Sequence, residues 1–262
     1  MTLPRHAIAI LGGGPGGYEA ALVAAQLGAN VTLVEEDGPG GACVLTDCVP
    51  SKTLIETSNA MTQLRKAPDL GICGKTSAST DPGTLYQRIK HLAEAQSTDI
   101  TSRLEAENIR IIRGKGEFTS HNIISTREGD VHAETILIAT GAHPRTVEGS
   151  EPDGERILTL RQLYDLDELP ENLIVIGSGV TGAEFASAYQ ALGSHVTLVS
   201  SRQRVLPHED EDAAALIEQV WRRRGMTVLG QSRGKAVTRD KDSVTVTLQD
   251  GSQITGTHCL MT

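Results

Sequence analysis

The sequence predicts an α/β chain built from two copies of one strand, glycine turn, helix, strand unit, with a small group of alternating strands inside the first half. Three observations carry this expectation. A short apolar run, Ala7–Leu11, leads into Gly12-Gly-Gly14-Pro-Gly-Gly17. A second apolar run at 174–176 leads into Gly177-Ser-Gly179-Val-Thr-Gly182. The two stretches hold one register, offset by 165 positions from Gly12 and Gly177 through Val34 and Val199, and Glu19 falls on Glu184. Chance clustering of glycine would not keep that register without a gap, so the repeat belongs to the fold.

In the first copy the Ala- and Leu-rich stretch 18–27 reads as a helix that stops at Gly28, and the apolar run 31–34 as a strand closing on Glu35. This order of elements is a Rossmann-like dinucleotide-binding pattern. Gly12 permits the tight turn, Gly14 lets backbone approach a pyrophosphate, and Gly17 lets the helix pack closely on the strand. The helix N-terminus offers N–H groups and a positive dipole end to phosphate. Glu35 stands where an acid accepts hydrogen bonds from a ribose hydroxyl.

In the second copy a helix runs to Leu192, and Val196-Thr-Leu-Val199 repeats Val31-Thr-Leu-Val34. Ser200 replaces Glu35, and Arg202 and Arg204 follow it. Loss of the acid removes repulsion toward a 2'-phosphate, and an arginine pairs with one. The second unit therefore leans toward NADPH, while a loop that accepts NADH and NADPH alike is the alternative.

Between the copies, 50–66 and 84–107 read as helices, and 109–138 alternates apolar and polar residues as a small β-meander would. Residues 135–144 are expected to form a buried strand ending in a turn, and 144–153 a linker, which divides the chain into domains at 1–145 and 146–262. Beyond the second copy, 213–224 reads as a helix, and 227–229, 243–248 and 257–261 as strands.

The formal charge of -9 argues against a nucleic-acid backbone partner, and the 24 basic residues are scattered apart from Arg222 to Arg224 on one expected helix face. No apolar run reaches membrane-spanning length. Four cysteines in 262 residues are too few for a secreted disulfide framework. No leader precedes the first expected strand near His6, and the expected location is the cytoplasm. There, Cys43 and Cys48, five positions apart ahead of a helix start, are a candidate redox pair. A zinc site is disfavoured, because no second cysteine pair or histidine motif lies at ligand spacing. Cys73 and Cys259 are expected to be buried small residues.

Two G-x-G-x-x-G units, the Cys43-x4-Cys48-Val-Pro-Ser-Lys52 motif and the Ala139-Thr140-Gly141 turn together resemble the FAD-dependent pyridine nucleotide-disulfide oxidoreductases. Within that family the resemblance is to dihydrolipoamide dehydrogenase and its actinobacterial NAD(P)H quinone reductase relatives. It implies that the first unit holds FAD through Gly12, Gly14, Gly17 and Glu35, with Gly41, Gly116, Thr140 and Gly141 lining the rest. The second would hold NAD(P)H through Gly177, Gly179, Gly182, the Ser200 to Arg202 region and Val237. Lys52 would pair with Glu184 beside the flavin. Cys48 would be the sulfur facing the flavin, and Cys43 the one exchanging with substrate.

The sequence departs from the family pattern in two places. Leu45 and Asp47 stand where Asn and Gly are usual. On an ideal helix, residues five apart rise by about 7.5 Å, beyond the reach of roughly 7 Å between the Cα atoms of a disulfide. The segment must therefore be distorted, which a glycine makes easier, and Asp47 adds a charge that opposes a neighbouring thiolate. The chain also stops partway into the second counterpart of the Ile138-Ala139-Thr140 turn. The resemblance then implies that a second FAD segment, a dimerisation domain and an acid-base His/Glu pair lie outside a partial sequence, with a homodimer as the complete protein. His143 and His208 are expected in solvated loops.

Three functions follow from the resemblance and the departures. The first is an FAD-dependent NAD(P)H oxidoreductase that reduces a disulfide such as lipoamide through Cys43 and Cys48. The second passes electrons from reduced FAD to a quinone, and the third is a nucleotide-binding or redox-sensing module without turnover.

Overall fold

The computed structural model describes residues 6–73, 78–144 and 147–262. The chain forms two compact units, one of Met1–Pro50 with Lys90–His143 and one of Ser51–Ile89 with Pro144–Thr262.

In the first unit, β1 (Ala7–Leu11), α1 (Pro15–Gln26) and β2 (Asn30–Glu35) form the first copy of the repeat. They are followed by α2 (Gly41–Leu45) and the start of α3 (Cys48–Lys66). The unit resumes within α4 (Pro82–Ala106) and continues through β3 (Arg110–Arg113), β4 (Gly116–Ser120), β5 (Ile123–Thr126), β6 (Gly129–His132) and β7 (Thr135–Ile138). A parallel sheet has the order β3-β2-β1-β7, and β4, β5 and β6 form the expected antiparallel meander.

Alternation along β1 and β2 builds two cores on opposite faces of this sheet. Ile10 and Leu33 pack with Ala21, Ile100 and Leu104 of the helices. Ala9 and Val34 pack with Ile112, Ile124 and Val131 beside the meander. Each fully buried Leu or Ile contributes roughly 1.5–3 kcal/mol, which is why a near-continuous apolar strand is needed between two covering layers.

The second unit repeats this plan. It runs through β8 (Ile157–Leu158), β9 (Asn172–Ile176), α5 (Val180–Leu192), β10 (His195–Val199), α6 (Glu211–Arg223) and β11 (Thr227–Leu229). The strands β12 (Gly234–Arg239), β13 (Val244–Leu248), β14 (Gln253–Gly256) and β15 (His258–Met261) complete it. Its parallel sheet has the order β11-β10-β9-β15-β8, so β11, β10, β9 and β15 stand as β3, β2, β1 and β7 do in the first. The strands β12, β13 and β14 form a second antiparallel meander, which the sequence reading resolved only in its middle strand.

The division by packing differs from the one at residue 145, since 51–89 lies with the second unit. Leu54, Met61, Tyr86 and Ile89 share a core with Phe185, Tyr189 and Trp221, and the Tyr86 and Tyr189 hydroxyls are hydrogen-bonded at 2.9 Å. Local periodicity identified these helices but does not say which core their apolar face enters.

Two expectations about burial are corrected. Strand β7 is an edge strand of its sheet, and Leu137 and Ile138 are 38% and 64% exposed rather than buried. Cys73 is exposed, as are Leu70 and Ile72 just before it after the 3₁₀ turn Ala67–Leu70, whereas Cys259 is fully buried in β15. The linker expected at 144–153 includes Arg145 and Thr146, which lie outside the described residues.

Candidate active site and nucleotide sites

Each glycine of the first turn has a distinct physical role. Gly12 has φ +101° and lies against Ala139, whose carbonyl oxygen would be 2.2 Å from an added Cβ. A Cβ on Gly17 would be 1.8 Å from the Gly12 carbonyl oxygen, so helix and turn touch there. A Cβ on Gly14 would meet nothing within 4 Å, which leaves open space above the start of α1. No side chain caps α1, and its first position is Pro15, so the N–H groups of its first turn are open to an anion. Gly41 adopts φ +55° and would bring a Cβ to 2.8 Å from the Gly14 Cα, so α2 begins directly against the turn.

Glu35 is buried at the end of β2. One carboxylate oxygen accepts the Gly13 N–H at 2.5 Å, and the other accepts those of Asp37 and Gly38 at 2.8 and 3.1 Å. Three of about four lone-pair directions are used, leaving one for a hydroxyl. This chemistry fits an adenosine dinucleotide. Gly116 is enclosed by Leu11, Val34 and Ile124, with room for no side chain, and Thr140 and Gly141 are exposed just after β7.

The second turn has the same construction. A Cβ on Gly182 would be 2.1 Å from the Gly177 carbonyl oxygen, Gly179 faces open space, and Thr262 lies against Gly177 as Ala139 does against Gly12. The acid position differs. Ser200 is fully buried, and its hydroxyl lies 2.6 Å from that of Ser178, the residue matching Gly13. It also accepts the Arg202 N–H at 3.2 Å and donates to the Arg202 carbonyl at 3.1 Å. Arg204 is ion-paired with Glu211, and Arg202 is exposed. Val237 is buried in β12 and gives its N–H to the Gly149 carbonyl at 2.8 Å.

A cavity of about 660 Å³ opens at the C-terminal ends of the second unit's strands, where open parallel sheets bind their ligands. Gly177 and Ser201 line it together with Ser232, Arg233 and Lys235. Gly179, Gly182, Ser200, Arg202 and Val237 are not on its wall. The sequence reading missed Arg233 and Lys235, although two cations flanking a glycine just past a strand were a usable signal.

Cys43 lies in α2 and Cys48 opens α3. The helix breaks between them at Thr46 (φ -135°, ψ -11°), and both Thr46 and Asp47 donate to the Ala42 carbonyl, at 3.0 and 2.8 Å. This break brings the two thiols into a hydrogen bond with each other. Asp47 keeps a negative φ, since the described non-glycine residues of positive φ are Asn108, Leu206 and Gln231. The distortion that a glycine would make easier is therefore accommodated here without a positive φ at Asp47. Burial pushes the Cys43 thiol up to about 11, with smaller contributions from Cys48 and the Asp47 charge.

Four residues beyond Cys48 on α3, Lys52 places its Nζ 2.8 Å from both carboxylate oxygens of Glu184, in the second turn of α5. The repeat predicted Glu184 by register, and the structure joins it to Lys52 within the second unit. Cys43 and Cys48 belong to the first unit. His143 and His208 are exposed.

Residues 6–262 match the model of the pyridine nucleotide-disulphide oxidoreductases. The chain belongs to that family. It is 48% identical over 97% of its length to an NAD(P)H dehydrogenase (quinone) of Mycobacterium tuberculosis, covering 55% of that protein. It is 33% identical over 90% of its length to a dihydrolipoyl dehydrogenase of Zymomonas mobilis, covering 52% of it. The fold matches the crystal structure of LpdA from M. tuberculosis with TM-score 0.91 and 46% identity, over 98% of this chain and 58% of that one. The chain thus spans about half the length of these relatives. Its cofactors are those of the family, FAD and NAD(P)H, and both glycine cradles fit an adenosine diphosphate moiety. No helix among the described residues is long and apolar enough to cross a membrane.

Proposed function

We propose that this protein is an FAD-dependent NAD(P)H oxidoreductase whose electrons leave to a quinone. FAD, when bound, supplies the two-electron exchange between nicotinamide and acceptor. The observation that carries the oxidoreductase reading is the Lys52–Glu184 pair, held at 2.8 Å and sharing the α3 helix with Cys48. Glu184 orients the ammonium of Lys52, so that a flavin ring beside it would meet a positioned positive charge. In this reading Gly12, Gly14, Gly17, Glu35, Gly41, Gly116, Thr140 and Gly141 serve FAD within 1–145. Gly177, Gly179 and Gly182 serve NAD(P)H within 146–262, with Ser200, Arg202 and Val237 shaping the surrounding loop and core.

A quinone acceptor is supported by Cys43, the expected exchanging sulfur. A thiol pushed up to about 11 supplies little thiolate at neutral pH. The relative of 48% identity is also named for quinone. A second reading, disulfide reduction, is favoured by the hydrogen bond between the thiols of Cys43 and Cys48. In that reading two electrons and two protons convert their disulfide to the dithiol, with Cys48 on the flavin side.

The intact protein, assayed with NADPH and a soluble quinone, is expected to keep its turnover in Cys48→Ser and to reduce lipoamide poorly. Loss of quinone turnover in that variant, with brisk lipoamide reduction by the wild type, would transfer the function to the disulfide reading. A homodimer in the cytoplasm is the assembly and location that go with this proposal.

A further inference from the structure

We infer that Arg233 and Lys235, rather than Arg202 or Arg204, read the 2'-phosphate that distinguishes NADPH from NADH; this rests on the reading of the 660 Å³ cavity as the NAD(P)H site. In the first unit, the strand after the glycine turn ends in a carboxylate. In the second, Ser200 and Ser178 close that position with a buried pair of hydroxyls, which removes the acid without offering a cation.

The two arginines that follow are poorly placed to replace it. Arg204 is paired with Glu211, and Arg202 stands outside the cavity wall. The loop that carries them is also pinned. Ser200 donates to the Leu229 carbonyl, Gln231 to that of Arg202, and Ser232 to that of Ser200, each at 2.8 Å. This ladder extends the β10–β11 pairing past both strands and lays residues 231–232 beside 200–202. The chain that emerges from it carries Arg233 and Lys235.

Arg233 and Lys235 flank Gly234 where β12 begins, and although the register shifts between Gly234 and Ala236, both residues line the same cavity. An added Cβ at Gly234 would face Ile176 at 3.4 Å, so the glycine lets this segment pass close to the end of β9 between the two cations. Both are exposed and line the cavity. The protein carries a formal charge of -9, yet no aspartate or glutamate stands among the described residues of this wall. Two unopposed cations on a wall without carboxylates, next to a dinucleotide turn, suit a dianionic phosphate. The guanidinium provides a two-pronged contact and the ammonium a mobile point charge.

The test is calorimetric titration of the 262-residue chain with 2',5'-ADP and 5'-AMP, which differ only in the 2'-phosphate. The wild type is expected to bind 2',5'-ADP about tenfold more tightly, with the preference shrinking as salt is added. Arg233→Ala/Lys235→Ala should reduce the preference to about twofold or less while changing 5'-AMP affinity by less than about twofold. Arg202→Ala should leave the preference in place, and the conservative Arg233→Lys/Lys235→Arg should retain most of it.

The inference is overturned if the wild type shows no preference, if Arg202→Ala abolishes it, or if the double alanine variant weakens both nucleotides equally. That last result would mean that the cations serve the phosphate common to both nucleotides. If a chain with a folded circular dichroism spectrum binds neither nucleotide, the reading of the cavity itself falls, and the inference with it. That outcome is separate from those in which 5'-AMP still binds.

Discussion

At the scale of the residue, Cys43 and Lys52 show how burial and pairing set opposite kinds of behaviour. Burial is the largest cause of the raised Cys43 thiol, and Cys48 and Asp47 push in the same direction. In the reduced protein, alkylation at Cys43 should be slow at pH 8 and climb toward about 11, and Asp47→Asn should speed it roughly twofold to fivefold at fixed pH. Peptide mass spectrometry after timed iodoacetamide treatment reads this rate. The same shift has a stability sign. An unfolded thiol loses its proton near its ordinary value of 9.0 and the folded one at about 11, so the stabilisation is complete below 9.0 and disappears as pH rises between these values.

Lys52 has the opposite character. Its side chain is 60% exposed, so its ion pair with Glu184 adds about 1 kcal/mol or less to stability. Lys52→Met should therefore leave the melting temperature nearly unchanged, while the rate of flavin bleaching by NAD(P)H in the intact protein falls about tenfold or more. A large loss of stability with unchanged bleaching would make Lys52 a structural residue only.

At the scale of the element, the glycine turns separate a packing role from a binding role. A Cβ on Gly182 would collide with the Gly177 carbonyl at 2.1 Å, and backbone cannot step aside as a flexible side chain can. At Gly179 an added Cβ meets nothing. Gly182→Val should consequently prevent the second unit from folding, lowering its yield and its helical circular dichroism. Gly179→Val should preserve both and lose NADPH binding, because the new side chain occupies the space through which the dinucleotide's pyrophosphate approaches. Retained nucleotide affinity in Gly179→Val would place the ligand elsewhere. Elements also decide the thiol geometry. The break at Thr46 sits in the connection between α2 and α3, and neither helix alone would bring sulfurs five positions apart together.

At the scale of the whole molecule, one built-in reporter distinguishes the two units. The chain has a single tryptophan, Trp221, which is 6% exposed in the core of the second unit. Its fluorescence reports the unfolding of that unit. NADPH at 100 times its dissociation constant should stabilise the tryptophan-monitored transition by about 2.7 kcal/mol. An unmoved transition at saturating NADPH would exclude the second unit as the NAD(P)H site.

Much of this molecule was legible in the sequence because its repeat leaves a mark in each link of the chain. The glycines, the strand ends, Glu35 and the register that selects Glu184 are all local features with one physical solution each. The sheet plan followed from them, since an apolar strand feeding a glycine turn and a helix returns to a parallel neighbour in only one hand. Residues 135–138 and Cys73 depart from the expected burial for a related reason: apolarity alone does not imply burial, and an edge strand and a surface turn leave apolar atoms exposed.

What the sequence determined by itself was the two-unit α/β plan, the family, and the position of the thiols ahead of a helix. Tertiary structure alone decided which core receives 51–89, that Ser200 turns inward to Ser178, and that Arg233 and Lys235 reach the cavity wall while Arg202 does not. The physical reason is common to all three. Periodicity and motif spacing follow the chain, but burial, hydroxyl pairing and the charge of a cavity depend on segments that meet only when distant strands are laid side by side.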